Sequence, residues 1–268
     1  MGGLLDWLQE PEMAGVPVDG IERFIAHRKI LERKAMIRDV FVEFHRLFDD
    51  LDRRYLRGEG MVVELGSGVF PVRESYPHVL ATDVVPAPHL DRVLDGDAMD
   101  LADASVHAFY LQNVFHHLPQ PARFFSQLER TLVPGGGAIL IEPHCGALAS
   151  LLYPRLFASE TYDKQAQSWD TPAAGPMSLA NQALSHLIFD RDRARFEAEN
   201  PLLEIVHRDV LGNGLRYLIS GGLNFRSLAP AAATPLIRGL ERLLRPLRAA
   251  LGLHRVIVLR RRADSQRR

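Results

Sequence analysis

Glu64-Leu65-Gly66-Ser67-Gly68 sets a carboxylate and two glycines within five residues, directly after the apolar run Met61-Val62-Val63. If that run is a strand, the glycines fall at its carboxyl end, where open α/β sheets bind their ligands. With no Cβ at Gly66 or Gly68 the chain can turn sharply there and let a nucleoside-bearing ligand approach the backbone. Asp83 closes the next apolar run, His78-Val79-Leu80-Ala81, where a ribose needs an acceptor for its two hydroxyls. Gly96-Asp97-Ala98 then follows Arg92-Val93-Leu94, pairing an acceptor for an exocyclic amino group with a side chain small enough to leave room for a ring. Each feature has a plainer explanation, as turn glycines or a loop aspartate capping its own backbone. Their order along successive strands favours a nucleoside cofactor. His116 and His117 lie just past the fourth apolar run, Val106 to Leu111, and histidine suits proton transfer near neutral pH. The competing expectation for both is a structural hydrogen bond. His144 is a weaker candidate base, and Cys145 reads as a small buried hydrophobe.

These residues need a scaffold that alternates strands with helices. From about Ile21 to Tyr55 apolar residues recur at three- and four-residue steps, the period of one or two amphipathic helices, and Arg57-Gly58-Glu59-Gly60 ends them. Strands are expected at the runs named above and at Ala138 to Ile141, with a helix from Ala122 to Leu132 between the last two. That alternation implies a parallel sheet. Further on, Ala147 to Phe157 reads as helix, Ala158 to Met177 as a mobile polar insertion, Leu179 to Phe189 and Arg191 to Ala198 as helices, and Leu202 to Val210 as a strand. A C-terminal helix follows, with Leu236, Leu240, Leu243, Leu247 and Leu251 on one stripe and Arg238, Arg242, Arg245 and Arg248 on another. Its leucines are expected to cover the domain and its arginines to face outward, with a kink at Pro246. His254 to Arg260 closes the chain as a strand buried on both faces. The fold class is therefore α/β: a doubly wound, mostly parallel seven-stranded sheet with helices on both faces and an N-terminal helical extension. The expected organisation is residues 1–60 as that extension and 61–268 as one domain, with an insertion around 147–200 that forms an acceptor site.

Taken in order, V-V-E-L-G-S-G, A-T-D, G-D-A, L-Q-N-V-F-H-H-L and L-V-P-G-G-G-A-I-L-I-E-P resemble the class I S-adenosylmethionine-dependent methyltransferases, especially the group similar to quinone-biosynthesis methyltransferases. The resemblance covers about Met61 to Pro143. It implies that Glu64 helps hold the methionine ammonium, that Gly66, Ser67 and Gly68 pack on the cofactor, and that Asp83 holds the ribose. It further implies that Asp97 and the Ala98 amide read adenine, and that the backbone at Gln112 and Asn113 lines the methionine end. The catalytic candidates are His117 and His116. One departure stands out: Val69-Phe70-Pro71 occupies the stretch where the family often has a third glycine, and Phe70 would narrow the pocket.

Two other functions use similar parts. A nicotinamide-dependent oxidoreductase would need a third glycine where Pro71 stands, and its pyrophosphate would be repelled by Glu64. A non-catalytic methyltransferase-like scaffold has no need of intact Glu64, Asp83 and Asp97. The composition is that of an ordinary globular protein, with 268 residues, 47% hydrophobic, 24% charged and a formal net charge of -1. A single cysteine excludes an internal disulfide and suggests a reducing, cytoplasmic setting, no metal-ligand spacing is evident, and no metal is expected. The N-terminus lacks the pattern of an export signal, and no apolar stretch is long enough to span a bilayer. No nucleic-acid partner is expected. The arginine-rich segment from Arg238 onward points to a small-molecule or lipid-linked acceptor and to peripheral contact with the inner membrane surface.

Overall fold

A computed structural model of the chain describes residues 3, 7–157, 159–172, 175 and 180–263. The strands are β1 (Met61–Leu65), β2 (Val79–Asp83), β3 (Arg92–Val93), β4 (Val106–Gln112), β5 (Leu132–Pro143), β6 (Leu203–Val210) and β7 (His254–Arg261). They form one seven-stranded sheet in the order β3-β2-β1-β4-β5-β7-β6. β1 to β5 run parallel, while β7 enters antiparallel between β5 and β6. The strand order reverses between β1 and β4, so the loops after those two strands diverge and leave a crevice at the carboxyl edge. β5 is longer than its apolar run because Leu132 already pairs with Val106; the register then jumps to Gly137 opposite Ala108, leaving Val133 to Gly136 as a bulge.

Helices cover both faces. α1 (Ile21–Arg33) and α2 (Ala35–Tyr55) form from the N-terminal periodic stretch, broken at Lys34. Phe44 and Phe48 of α2 are fully buried in one core layer, against Tyr110 and Val258 of the sheet. α3 (Pro121–Thr131) starts on a proline, whose missing N–H costs nothing in a first helical turn, and sends Phe124, Phe125 and Leu128 into the opposite layer. α4 (Ala147–Leu156), α5 (Arg193–Glu199) and α6 (Gly214–Ser220) flank the antiparallel edge.

Three expectations need correction. Between Leu179 and Phe189 the described helical structure is confined to Leu184–His186, followed by a π turn over Leu187–Arg191; Leu179 itself lies outside the described residues. The described part of the polar insertion is anchored: Trp169 is buried, its Nε1 donates to Asp192 Oδ2 at 2.8 Å, and Thr161 bridges to Asn181. A lone tryptophan among polar residues carries no period, so its burial is invisible in the pattern.

The third concerns the C-terminal helix, which breaks at Pro246 as expected into α7 (Thr234–Leu244), a turn over Arg245–Leu247 and α8 (Arg248–Leu251). Its leucines do not cover the domain. Leu236 and Leu243 are 78% and 74% exposed, Leu240 and Leu247 are exposed too, and the buried residues of α7 are Ile237 and Glu241. Ion pairing sets this orientation. Arg216 of α6 is buried with its Nε 2.6 Å from Glu241, and its guanidinium also meets Asp39 at 2.7 Å and Glu43 at 2.7 Å on α2. Arg238 turns inward to Asp39 at 2.6 Å, and Arg248 pairs with Asp209 at 2.9 Å. Of the four stripe arginines, Arg242 and Arg245 remain exposed. Among the described residues no helix is long and apolar enough to cross a membrane.

Candidate functional site

The loops after β1, β2, β3 and β4 enclose a cavity of about 530 Å³, large enough for a nucleoside cofactor with room beside it. Gly66 and Gly68 sit at φ +65° and +56°, in the left-handed region that only glycine enters without strain. At Gly66 an added Cβ would lie 2.4 Å from Val114, so a side chain there would collide with the neighbouring β4 loop. The β1 loop is tied to β2 by its own polar groups. The amide of Gly68 donates to Asp83 Oδ2 at 3.1 Å, and Ser67 Oγ accepts from the amide of Thr82 at 3.0 Å. Asp83 also accepts from Val85, yet a carboxylate has lone pairs left for a ligand.

Glu64, Gly66, Ser67, Gly68, Asp83, Asp97, Gln112, Asn113, His116 and His117 all line this cavity. Ala98 does not: it is exposed, and its amide is donated to the carbonyl of Asp95 at 3.2 Å. Phe70 lines the wall, stacked on His45, as the departure from the glycine pattern implied. His144 lies outside, bonded to the carbonyl of Ala249. Buried polar atoms without a partner, Asp97 Oδ1, Asn113 Oδ1, His117 Nδ1 and Gln182 Oε1, belong to residues that line this one cavity. Such orphans are costly inside a protein, and their convergence marks a place where a ligand completes the bonding.

The electrostatics favour a cationic or hydrogen-bond-donating guest. Burial lifts Glu64 to about 8, opposed by bonds from the Val72 amide and Ser67. Burial and the nearby charge of Asp95 lift Asp97 to about 6, and burial raises Asp83 as well. Such carboxyls ionise more readily beside a cation, and their oxygens would accept donors from adenine, ribose and ammonium.

Past β4, Asn113 is a non-glycine residue at φ 54°, a conformation asparagine tolerates better than most. The following turn, Phe115–His117, is held by Glu142 at the end of β5. This fully buried carboxylate accepts from the amides of Val114 at 3.0 Å, Phe115 at 2.8 Å and His116 at 3.3 Å, and contacts His116 Nδ1 at 2.6 Å. Burial opposes a charge on His116, but Glu142 and then Glu160 outweigh it and lift the group to about 10. Burial and the charge of His116 push His117 down to about 3. Of the two candidate bases, one is thus already protonated and the other only weakly basic.

Sequence reasoning missed Glu142, Glu160 and Gln182. The first stands inside the quoted I-L-I-E-P segment, where a charge in an apolar strand was a usable signal. Nothing local distinguishes the other two.

Comparison with known proteins adds to this geometry. A family model described as a methyltransferase domain matches residues 73–140. Among solved structures, the chain is similar to a geranyl diphosphate C-methyltransferase from Streptomyces coelicolor A3(2), at 13% identity, 84% coverage of each chain and a TM-score of 0.47. It is also similar to an S-adenosylmethionine-dependent methyltransferase from Mesorhizobium loti, at 15% identity, covering 79% of this chain and 96% of that one, with a TM-score of 0.44. No curated protein matches. The family match identifies a methyltransferase domain over residues 73–140, and the strand order and the acidic cleft agree with it. The activity this match carries is methyl transfer, with S-adenosylmethionine as the cofactor.

Proposed function

We propose that this enzyme binds S-adenosylmethionine along the β1–β4 loops and methylates a small or lipid-linked acceptor that enters beside the 144–202 connection. In this reading residues 1–60 are a helical extension of the domain 61–268, and the segment around 147–200 builds the acceptor site. Glu64 faces the methionine ammonium, Asp83 takes the ribose hydroxyls, Asp97 takes the adenine amino group, and Gln112 and Asn113 border the methionine end. The convergence of unpartnered polar atoms on one acidic cavity carries the reading. The sulfonium is already an activated electrophile, so the protein's work is positioning, worth up to about 7–11 kcal/mol in well-oriented reactions.

Calorimetric titration tests the cofactor. S-adenosylhomocysteine should bind wild type while NAD does not. The Asp83→Ala protein should bind at least tenfold more weakly, because each charge-assisted hydrogen bond contributes about 1.5–3 kcal/mol. An unchanged affinity in folded Asp83→Ala protein would remove the ribose from this carboxylate.

Glu64 supplies a pH dependence. Held near 8 by burial against an ordinary 4.5, it is mostly protonated at pH 7. Its raised value means that the stability it contributes is present in full below about 4.5 and is lost as pH rises through about 8. An arriving ammonium favours the carboxylate, so binding should release a proton, and affinity should increase by up to about tenfold per pH unit between 6 and 8. Titrations at pH 7 in buffers of different ionisation enthalpy read this release directly. Zero net release would show that Glu64 does not meet the ammonium.

For the acceptor, the exposed leucines replace the arginine face as the contact with a membrane surface. A second, apolar cavity of about 100 Å³ shares Tyr153, Phe157 and Tyr217 with the main cleft and is walled by Leu152, Leu156 and Leu228. Its α4 wall packs on α8, next to Leu247, and Leu151 and Leu228 are themselves exposed. An acceptor with a lipid tail would find an apolar path from bilayer to cleft there. Wild type should co-sediment with phosphatidylcholine–phosphatidylglycerol vesicles, and a variant with serine at Leu236, Leu240, Leu243 and Leu247 should not. Failure of wild type to sediment at low salt would overturn the membrane reading and leave a soluble acceptor.

A further inference from the structure

We propose that His116, His117 and Glu160 bind one divalent transition-metal ion at the acceptor end of the cleft. Their ligand atoms lie within 4.8 Å of one another, and Nε2 of His116 is 3.6 Å from Oε2 of Glu160. Bonds of about 2.0–2.2 Å to a tetrahedral ion set donor atoms roughly 3.4 Å apart, so the three need to draw in by about 1 Å. The surroundings are those of a metal-binding histidine. Nδ1 of His116 is 2.6 Å from the buried carboxylate of Glu142, which holds the Nδ1 proton and turns Nε2 toward Glu160, where a metal ion would displace the second ring proton.

The rest of the cluster is also preset. Gln182, 96% buried, donates from Nε2 to Glu160 Oε2 at 2.6 Å and so orients that carboxylate. Its own Oε1 has no partner, and neither does Nδ1 of His117. Two imidazoles and one carboxylate suit Zn²⁺, Fe²⁺ or Co²⁺ over Mg²⁺ or Ca²⁺, which prefer all-oxygen shells. Three protein ligands leave coordination positions open toward the cavity, the arrangement of a catalytic site.

The ion's role rests on the methyltransferase reading. An acceptor hydroxyl bound at the open position loses its proton to water at neutral pH, as metal-bound water does. The oxygen then forms a bond to the methyl carbon as the carbon–sulfur bond breaks, its electron pair going to sulfur to give neutral S-adenosylhomocysteine.

The test titrates untagged, metal-stripped protein with Co²⁺ and follows the visible ligand-field bands, with Zn²⁺ and Mg²⁺ as competitors. One Co²⁺ per chain, displaced by Zn²⁺ and not by Mg²⁺, is the expected result. Glu160→Gln and His117→Ala should each weaken Co²⁺ binding at least tenfold, and Glu142→Gln should weaken it by about 10–100-fold. His117→Gln replaces His117→Ala if the thermal midpoint of the latter falls far below wild type. No Co²⁺ bands in wild type, or bands indifferent to both ligand substitutions, would overturn the site. S-adenosylhomocysteine titration of the same samples reads the cofactor reading separately: bound Co²⁺ with no nucleoside binding would sink that reading and leave the metal site standing.

Discussion

Replacing Glu142 with alanine is expected to destabilise the protein by about 3–6 kcal/mol and to weaken S-adenosylhomocysteine binding more than tenfold. The reason is the number of groups that one carboxylate satisfies. With it gone, the amides of Val114, Phe115 and His116 and Nδ1 of His116 lose their acceptor in a site closed to solvent. Each orphaned donor costs about 1–3 kcal/mol, reduced where water can enter the space left by the side chain. The turn after β4 would then loosen, and with it the backbone at Gln112 and Asn113 that lines the cleft. Glutamine, which keeps one acceptor oxygen, should recover part of the loss. Urea denaturation gives the stability and calorimetry the affinity. An alanine variant within 1 kcal/mol of wild type would show that the turn holds its shape without this carboxylate.

A loss of about 3–5 kcal/mol is expected for Arg216→Met, without a matching loss of cofactor affinity. Arg216 is buried among Glu241, Asp39 and Glu43, and it joins α2, α6 and α7. A methionine fills most of the volume but leaves Glu241 buried with an unpaired charge or forces it to take up a proton. At roughly 2–4 °C per kcal/mol for a chain of this size, the melting temperature should fall by about 10 °C. Substituting Glu241 by leucine in the same protein should recover much of the deficit, because a buried pair replaced as a whole is often neutral. If the double variant is no more stable than the single, the cluster's worth lies with Asp39 and Glu43 instead. The same substitution should loosen α7 and so alter vesicle binding, linking fold to the proposed membrane contact.

The local parts of the site were legible because local chemistry makes them. A strand followed by a glycine turn is written in consecutive residues, and so is an aspartate at a strand end; Glu64, Gly66, Gly68, Asp83 and Asp97 therefore come together once parallel strands are laid side by side. Asn113 was legible only as a position, since its left-handed backbone depends on where the next turn must go. Ala98 stands outside the cavity for a similar reason: its amide is donated to the carbonyl of Asp95 within the same short turn.

Sequence by itself determined the order of strands and helices, the doubly wound class and the acidic end of the cleft, because each of these follows from periodicity or from contacts between neighbours in the chain. Only the tertiary structure decided which face of the C-terminal helix turns inward. A leucine stripe and an arginine stripe mark two sides of a helix without saying which side a domain will accept, and here the acids on α2 and the buried Arg216 draw Glu241 and Arg238 inward, leaving the leucines outside. The acceptor end was likewise decided in three dimensions. His116, Glu142, Glu160 and Gln182 are far apart in the chain and meet only because β5 delivers a carboxylate beneath the β4 turn while the following connection folds back over it. Contacts between distant segments leave no period in a single sequence; the physical requirement that each buried charge find a partner selects them.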